Sequence, residues 1–221
     1  MRKMLVLSFV LVLVGASTAH AQTKMALGFA LGGNYNIHTG SNLAKTATGV
    51  GFVGGVQIDV SFTKSLALLT TVYAYDNRIG SYTHDVTIDG IDFSDDNVVT
   101  IAYAGIEPLL KFTMPDNRFY VVAGPSIGFK LQAQGEDTQT TTTPATGFPY
   151  GYSYQTTYEP PDINTRFELN VGGGYVFKID AQSRLTTQLT FAYGLNNVEK
   201  NVDWRINSVR LIAGLEFDIL Q

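Results

Sequence analysis

The chain has 221 residues, 45% of them hydrophobic and only 15% charged, with 22 Gly and no Cys. The missing Cys excludes a disulfide framework, a thiolate metal site, a Cys nucleophile and a lipidated N-terminal Cys. A formal net charge of −4 argues against a nucleic-acid partner, which would need a basic face.

Arg2 and Lys3 open the chain with positive charge, and Leu5 to Val14 is an apolar run broken only by Ser8. Ala19-His20-Ala21 then places small side chains at the two positions that a signal peptidase reads. The run is too short to cross about 30 Å of hydrocarbon as a helix. Residues 1–21 are therefore expected to be a signal peptide, with 22–221 forming one domain.

From Lys24 onward the dominant period is two. Val50, Phe52, Val56, Ile58, Val60 and Phe62 share one face, while Gly51, Gly55, Gln57, Asp59 and Ser61 share the other. Phe119 to Gln132 repeats the pattern, as does Val209 to Ile219. Successive strand residues point to opposite faces, so each segment has an apolar wall and a small-or-polar wall. Eight such segments are read, at 24–35, 49–62, 65–76, 98–112, 119–133, 165–178, 185–196 and 207–220. Each exceeds the roughly 9–11 residues that a tilted strand needs to cross a bilayer.

The connections alternate. Those at 62–64, 113–118 and 179–184 are tight, and those at 37–48, 77–97, 133–164 and 197–206 are long. With an even strand count, all tight turns and both termini fall on one side and all long loops on the other. The expectation is an all-β, eight-stranded, antiparallel up-and-down transmembrane β-barrel in a cell outer membrane, with both termini periplasmic.

Glycines and charges decide which wall faces inward. An eight-stranded interior is only just wide enough for side chains, so glycines there make room for larger neighbours. The glycine-rich wall also carries Asp59, Glu107, Lys111, Lys130, Arg166, Glu168, Arg210, Glu216 and Asp218. Lys or Arg facing lipid at midplane costs about 2–4 kcal/mol, whereas inside the barrel the two signs can pair. These nine residues are expected to form a lumen charge network, with Glu107–Lys111 and Arg166–Glu168 as same-face neighbours. Pro108 and Pro125 fall inside strands, where each removes a ladder donor, so a bulge or loosened pairing is expected there.

Three stretches then stand in order: Ile106-Glu107-Pro108-Leu109-Leu110-Lys111-Phe112, Tyr120-Val121-Val122-Ala123-Gly124-Pro125 and Tyr193-Gly194-Leu195-Asn196-Asn197. Together they resemble the small outer-membrane β-barrel family often labelled porin-family or PorT-like, over essentially the whole mature chain. The resemblance implies an eight-stranded outer-membrane barrel that tolerates prolines at these places. It implies no catalytic residues and no fixed substrate. The chain departs from the common pattern for barrel insertion by ending Phe217-Asp218-Ile219-Leu220-Gln221, without a terminal aromatic.

Catalytic chemistry finds little support. His38 and His84 are the histidines left after cleavage, and both read as solvated loop residues. No Ser sits at a nucleophile elbow. Asp76, Asp85, Asp89, Asp92, Asp95 and Asp96 form an acidic stretch that does not meet the EF-hand template. Val86, Ile88, Ile91 and Phe93 around Asp89-Gly90 read instead as a hairpin projecting beyond the membrane. The 133–164 connection carries Tyr150, Tyr152, Tyr154 and Tyr158 among Gly and Pro, a composition suited to adaptable protein contacts. Trp204, with Arg205, reads as an anchor at the membrane interface.

The sequence thus points to a non-enzymatic outer-membrane barrel without catalytic, cofactor or metal residues, acting structurally or in surface interaction through its long loops. A narrow pore, or a transport or secretion accessory, is the alternative. The expected partners are outer-membrane lipid and lipopolysaccharide, periplasmic chaperones and the barrel-assembly machinery, and a surface protein at the 133–164 loop. The barrel is expected to be a monomer.

Overall fold

The structure, a computed structural model, describes residues 24–41, 43, 45–88, 91–116, 118–141, 153–160 and 162–220. The expected signal peptide, the Asp89-Gly90 turn, Tyr150 and Tyr152 lie outside the described residues.

Nine strands follow in order: β1 (Lys24–Thr39), β2 (Ala47–Ser61), β3 (Leu66–Ile88), β4 (Ile91–Thr113), β5 (Phe119–Thr141), β6 (Ser153–Tyr158), β7 (Arg166–Lys178), β8 (Ser183–Gly194) and β9 (Arg205–Leu220). Every ladder is antiparallel. The sheet runs β4-β3-β2-β1-β9-β8-β7-β5, and the β4–β5 pairing closes it into a ring of eight. β6 lies outside the ring, paired with the far half of β5.

The three tight turns share one chemistry. Thr63 Oγ1 accepts from the amides of Ser65 and Leu66 at 3.2 and 3.0 Å. Asp116 Oδ1 accepts from Arg118 and Phe119 at 3.1 and 3.4 Å, and Asp180 Oδ1 from Gln182 and Ser183 at 2.7 Å each. A short polar side chain bonded to amides two and three residues on is what closes a turn without a helix or a ladder. Lys24 pairs with Ser61 and Met25 with Leu220, so both ends of the described chain sit at this turn end of the barrel.

The outer wall is apolar, with Phe29, Leu31, Val50, Leu169, Leu189 and Leu211 all exposed. Rings collect at its rims: Phe119 meets Tyr175 edge-on at 4.7 Å, Tyr175 meets Phe177 at 4.6 Å, and Phe52 stacks on Tyr75 at 5.0 Å. The inner wall is polar and buried. That inversion is the one a hydrocarbon solvent selects, because a closed ring satisfies its backbone internally and presents only side chains to lipid.

Pro108 and Pro125 loosen the pairing rather than bulge it. The β4–β5 ladder holds Ile106 opposite Ile127 and Leu110 opposite Ala123, and lapses between them. The unshifted register puts Pro108 opposite Pro125, so the two missing donors fall in a single gap. β4 stays paired to β3 through Thr70–Pro108, and β5 to β7 through Pro125–Leu169.

Three strands run well past the expected boundaries. β3 and β4 pair up to Ile88–Ile91, while β2 stops facing β3 at Thr48–Ser81. β5 continues to Thr141 and takes β6 alongside. The stretch 77–97 is thus largely ladder, and 133–141 and 153–158 extend it into a four-stranded sheet standing roughly 20 Å above the ring at about 3.3 Å per residue.

Candidate functional site

The lumen is filled in layers, ordered along the inward residues of β9. Nearest the turn end, Lys111 Nζ lies 2.6 Å and Arg184 Nη2 3.3 Å from Asp59 Oδ2. Arg184 also reaches Glu216 at 2.5 Å and Asp218 at 3.2 Å. At mid-height Arg210 pairs with Glu107 and donates to Asn170 Oδ1 at 2.5 Å, while the Tyr73 hydroxyl donates to Glu107 at 2.8 Å.

Above this, Asp76 Oδ2 accepts from Arg166 at 2.5 Å and Arg78 at 2.8 Å, and Asn34 donates to Asp76 Oδ1 at 3.0 Å. Arg166 reaches Glu168 at 3.4 Å and lies 4.5 Å over the Tyr103 ring. Arg78, Arg210, Glu107 and Glu168 are each 0% exposed. Charges this deep are tolerable only because each is paired and hydrogen-bonded.

Eight of the nine residues expected in this network point into the lumen, although Asp218 is half-exposed at its rim. Lys130 does not. It is exposed and pairs with Glu159 at 3.5 Å. It is the last residue before a register shift, since Tyr103 faces Lys130 and Ala102 faces Gln132, and it lies beyond Gly128, where the β5–β7 pairing ends. The extra residue, Leu131, switches the inward positions of β5 from even to odd just where β7 leaves it. Glu107 is not paired to Lys111 either: its partner, Arg210, comes from β9 across the lumen, and Lys111 goes to Asp59.

Sequence reasoning missed Asp76 and Arg78. Asp76 read as part of an acidic outer loop, but it is buried. A shift between Tyr73 and Asp76 moves the inward set of β3 from odd to even numbers. Such a bulge re-aims every following side chain. Arg184, Asn34, Asn36, Asn170 and Ser208 were also missed. For these the inward parity of their strands was the available signal.

The loop end is capped. Ile101, Tyr103, Ala133, Val198, Trp204 and Ile206 form a buried apolar cluster with Leu43, Val99, Ile163 and Val202 packed against it. Two expectations are corrected here. His38 is 1% exposed rather than solvated, and Trp204 is buried in the cap rather than anchored at the interface. Trp204 Nε1 donates to His38 Nδ1 at 3.2 Å, tying the start of β9 to the end of β1. Above the cap, a cavity of about 230 Å³ opens between the loops.

On the projecting sheet, hydroxyls meet carboxylates across the β3–β4 ladder: Thr83 with Asp96 at 2.6 Å, Ser94 with Asp85 at 2.8 Å and Thr87 with Asp92 at 2.6 Å. His84 stands opposite Asp95 in the register. On the neighbouring ladder Asp137 shares a hydrogen bond with Asp95, and this bond, burial and the Asp95 charge lift its carboxyl to about 6.

The chain matches the family described as "Outer membrane protein beta-barrel domain" over residues 20–200. No curated protein sequence matches it. Among solved structures it is similar to Ail, the attachment invasion locus protein of Yersinia pestis, at 10% identity, covering 87% of this chain and 98% of that one, with a TM-score of 0.38. It is also similar to the outer membrane protein OprG of Pseudomonas aeruginosa, at 9% identity, 91% and 98% coverage and a TM-score of 0.39. For the outer membrane protease OmpT of Escherichia coli the values are 9% identity, 91% and 100% coverage and a TM-score of 0.32.

Proposed function

The chain belongs to the outer membrane protein β-barrel family, and on that footing we propose that it works as a closed, non-conducting, non-enzymatic barrel whose loop end contacts partners outside the cell. The filled lumen carries this reading. From the Asp59–Lys111–Arg184 layer to the cap around Trp204, paired side chains occupy the cross-section that a pore would need. Eight strands leave little interior beyond what those side chains take.

The remaining investment of the chain is in the four-stranded sheet above the ring, rich in Thr, Tyr and Asp. Such polar and tyrosine-bearing surfaces suit adaptable protein contacts. In this orientation the tight turns and both termini face the periplasm, the aromatic rims meet the two interfaces, and lipopolysaccharide surrounds the base of the sheet. Assembly would pass through periplasmic chaperones and the barrel-assembly machinery.

Planar-bilayer recording of the refolded protein tests the reading. No stepwise conductance is expected, and a reproducible open channel would overturn it in favour of a narrow pore. Protease treatment of intact cells tests the orientation: cleavage is expected between β5 and β6, and cleavage confined to the tight turns would reverse the topology.

A further inference from the structure

Every connection at the loop end sends residues to one cavity. Leu43 comes from the β1–β2 loop, Gly80, Tyr82, Asn97 and Val99 from the β3–β4 hairpin, Tyr158 and Pro160 from the end of β6, and Glu199, Val202 and Trp204 from the β8–β9 loop. His38 and the apolar cap form its floor. A preformed concavity with apolar walls and a few convergent polar groups is the usual form of a small-molecule site. Its volume, about 230 Å³, falls below the roughly 300–1,000 Å³ of drug-sized pockets and limits the occupant to a compact molecule.

The lining is aromatic and acidic. Three rings, of Tyr82, Tyr158 and Trp204, line it, and no Lys or Arg is among the described lining residues. The hydrogen bond to His38 fixes the Trp204 ring, and Tyr158 lies over Gly135, where any Cβ would collide with the ring. The Glu199 carboxyl is pushed up by burial and by Asp162. Burial, Tyr82 and the carboxylates of Asp137, Glu199 and Asp95 push the Tyr158 hydroxyl up in the same way. Below the floor, Arg78 is already held by Asp76 and Glu168. Lys45 stays outside the lining, with its Nζ 3.0 Å from the Thr83 carbonyl. The cavity therefore combines a lining carboxyl with ring faces, a pairing that attracts a cation. A neutral sugar of the same size would call for a denser set of hydrogen-bonding side chains than Asn97, Glu199 and two phenols.

We propose that this cavity binds a small organic cation of the alkylammonium type, held between the rings of Tyr82, Tyr158 and Trp204 and the carboxylate of Glu199. The site is separate from the surface-contact reading above and stands or falls without it.

Trp204 is the only Trp in the chain, so its emission reports on the site directly. The test is titration of the full barrel, refolded in detergent, with choline and with its uncharged isostere 3,3-dimethyl-1-butanol, followed by fluorescence and calorimetry. Saturable binding of choline is expected, weaker by roughly tenfold or more for the isostere, because the cation–ring and cation–carboxylate attractions are lost. Glu199→Gln and Tyr158→Leu are each expected to weaken choline to a similar degree. Glu199 lies in an outer loop, so Glu199→Gln leaves the barrel intact, as its gel mobility will show. Absence of saturable choline binding, or less than tenfold preference over the isostere, overturns the proposal.

Discussion

Arg210 and Glu107 face each other across the lumen from β9 and β4, strands that share no ladder, and neither side chain has any exposed surface. Removing one member leaves the other buried and uncompensated, which in protein interiors costs about 3–5 kcal/mol. Arg210→Met is therefore expected to lower barrel stability by about that amount, read from urea unfolding of the refolded protein in detergent. Replacing both, with Glu107→Leu alongside, is expected to recover most of the loss. A double variant no better than the single would place the cost in packing rather than in the stranded carboxylate.

The Asp95–Asp137 contact makes the projecting sheet sensitive to pH. The Asp137 carboxyl is lifted from 3.8 to about 6, so between those values the folded sheet holds a proton that the open strands release. Its contribution to stability is fully present below about pH 4 and is lost as pH rises through about 6. Amide hydrogen exchange in the far halves of β4 and β5, corrected for intrinsic rates, is expected to be slower at pH 5 than at pH 7.5. Asp137→Asn should remove the difference, and an unchanged profile in that variant would assign it elsewhere.

The His38–Trp204 bond closes the mouth. Trp204→Phe keeps most of the apolar surface but removes the donor to a buried ring nitrogen. An unsatisfied buried polar atom costs about 1–3 kcal/mol, and a loss of this size is expected in the urea transition. A loss well below 1 kcal/mol would mean that His38 finds another donor within the cap.

The ring itself was legible because alternation is a local property. Gly51, Gly55, Gln57 and Asp59 announce the inner wall of β2 without any knowledge of their partners. What could not be read depends on events elsewhere in the chain. Asp76 and Arg78 turn inward because a register shift resets the parity of β3, and Lys130 is exposed because the β5–β7 pairing ends at Gly128. The β3 shift carries its glycine mark only on its partners, opposite Gly54-Gly55 of β2 and Gly105 of β4. The Arg210–Glu107 pair joins residues 103 positions apart across the lumen, beyond anything that spacing reveals. His38 looked solvated and Trp204 looked like an interface anchor because both border long connections, yet those connections fold over one another and bury them.

Gly32 and Gly33 test the inside-out assignment at adjacent residues of one strand. Gly32 faces the lumen, where a Cβ would collide with the Leu211 carbonyl oxygen of β9. Backbone cannot yield as a flexible side chain does, so the strands could not keep their approach. Gly33 faces outward, and its Cβ would sit 3.6 Å from the nearest atom, the Gly51 carbonyl oxygen. Gly32→Ala is therefore expected to block or strongly impair formation of the compact, heat-modifiable form. Gly33→Ala should leave it intact, or raise stability slightly, since Ala loses less conformational freedom than Gly on folding. The two variants have the same composition, hydrophobicity and strand propensity, so only the direction in which each residue points can separate them. Equal tolerance at both positions would contradict the close strand approach at Gly32, and a reversed order would turn the barrel wall around.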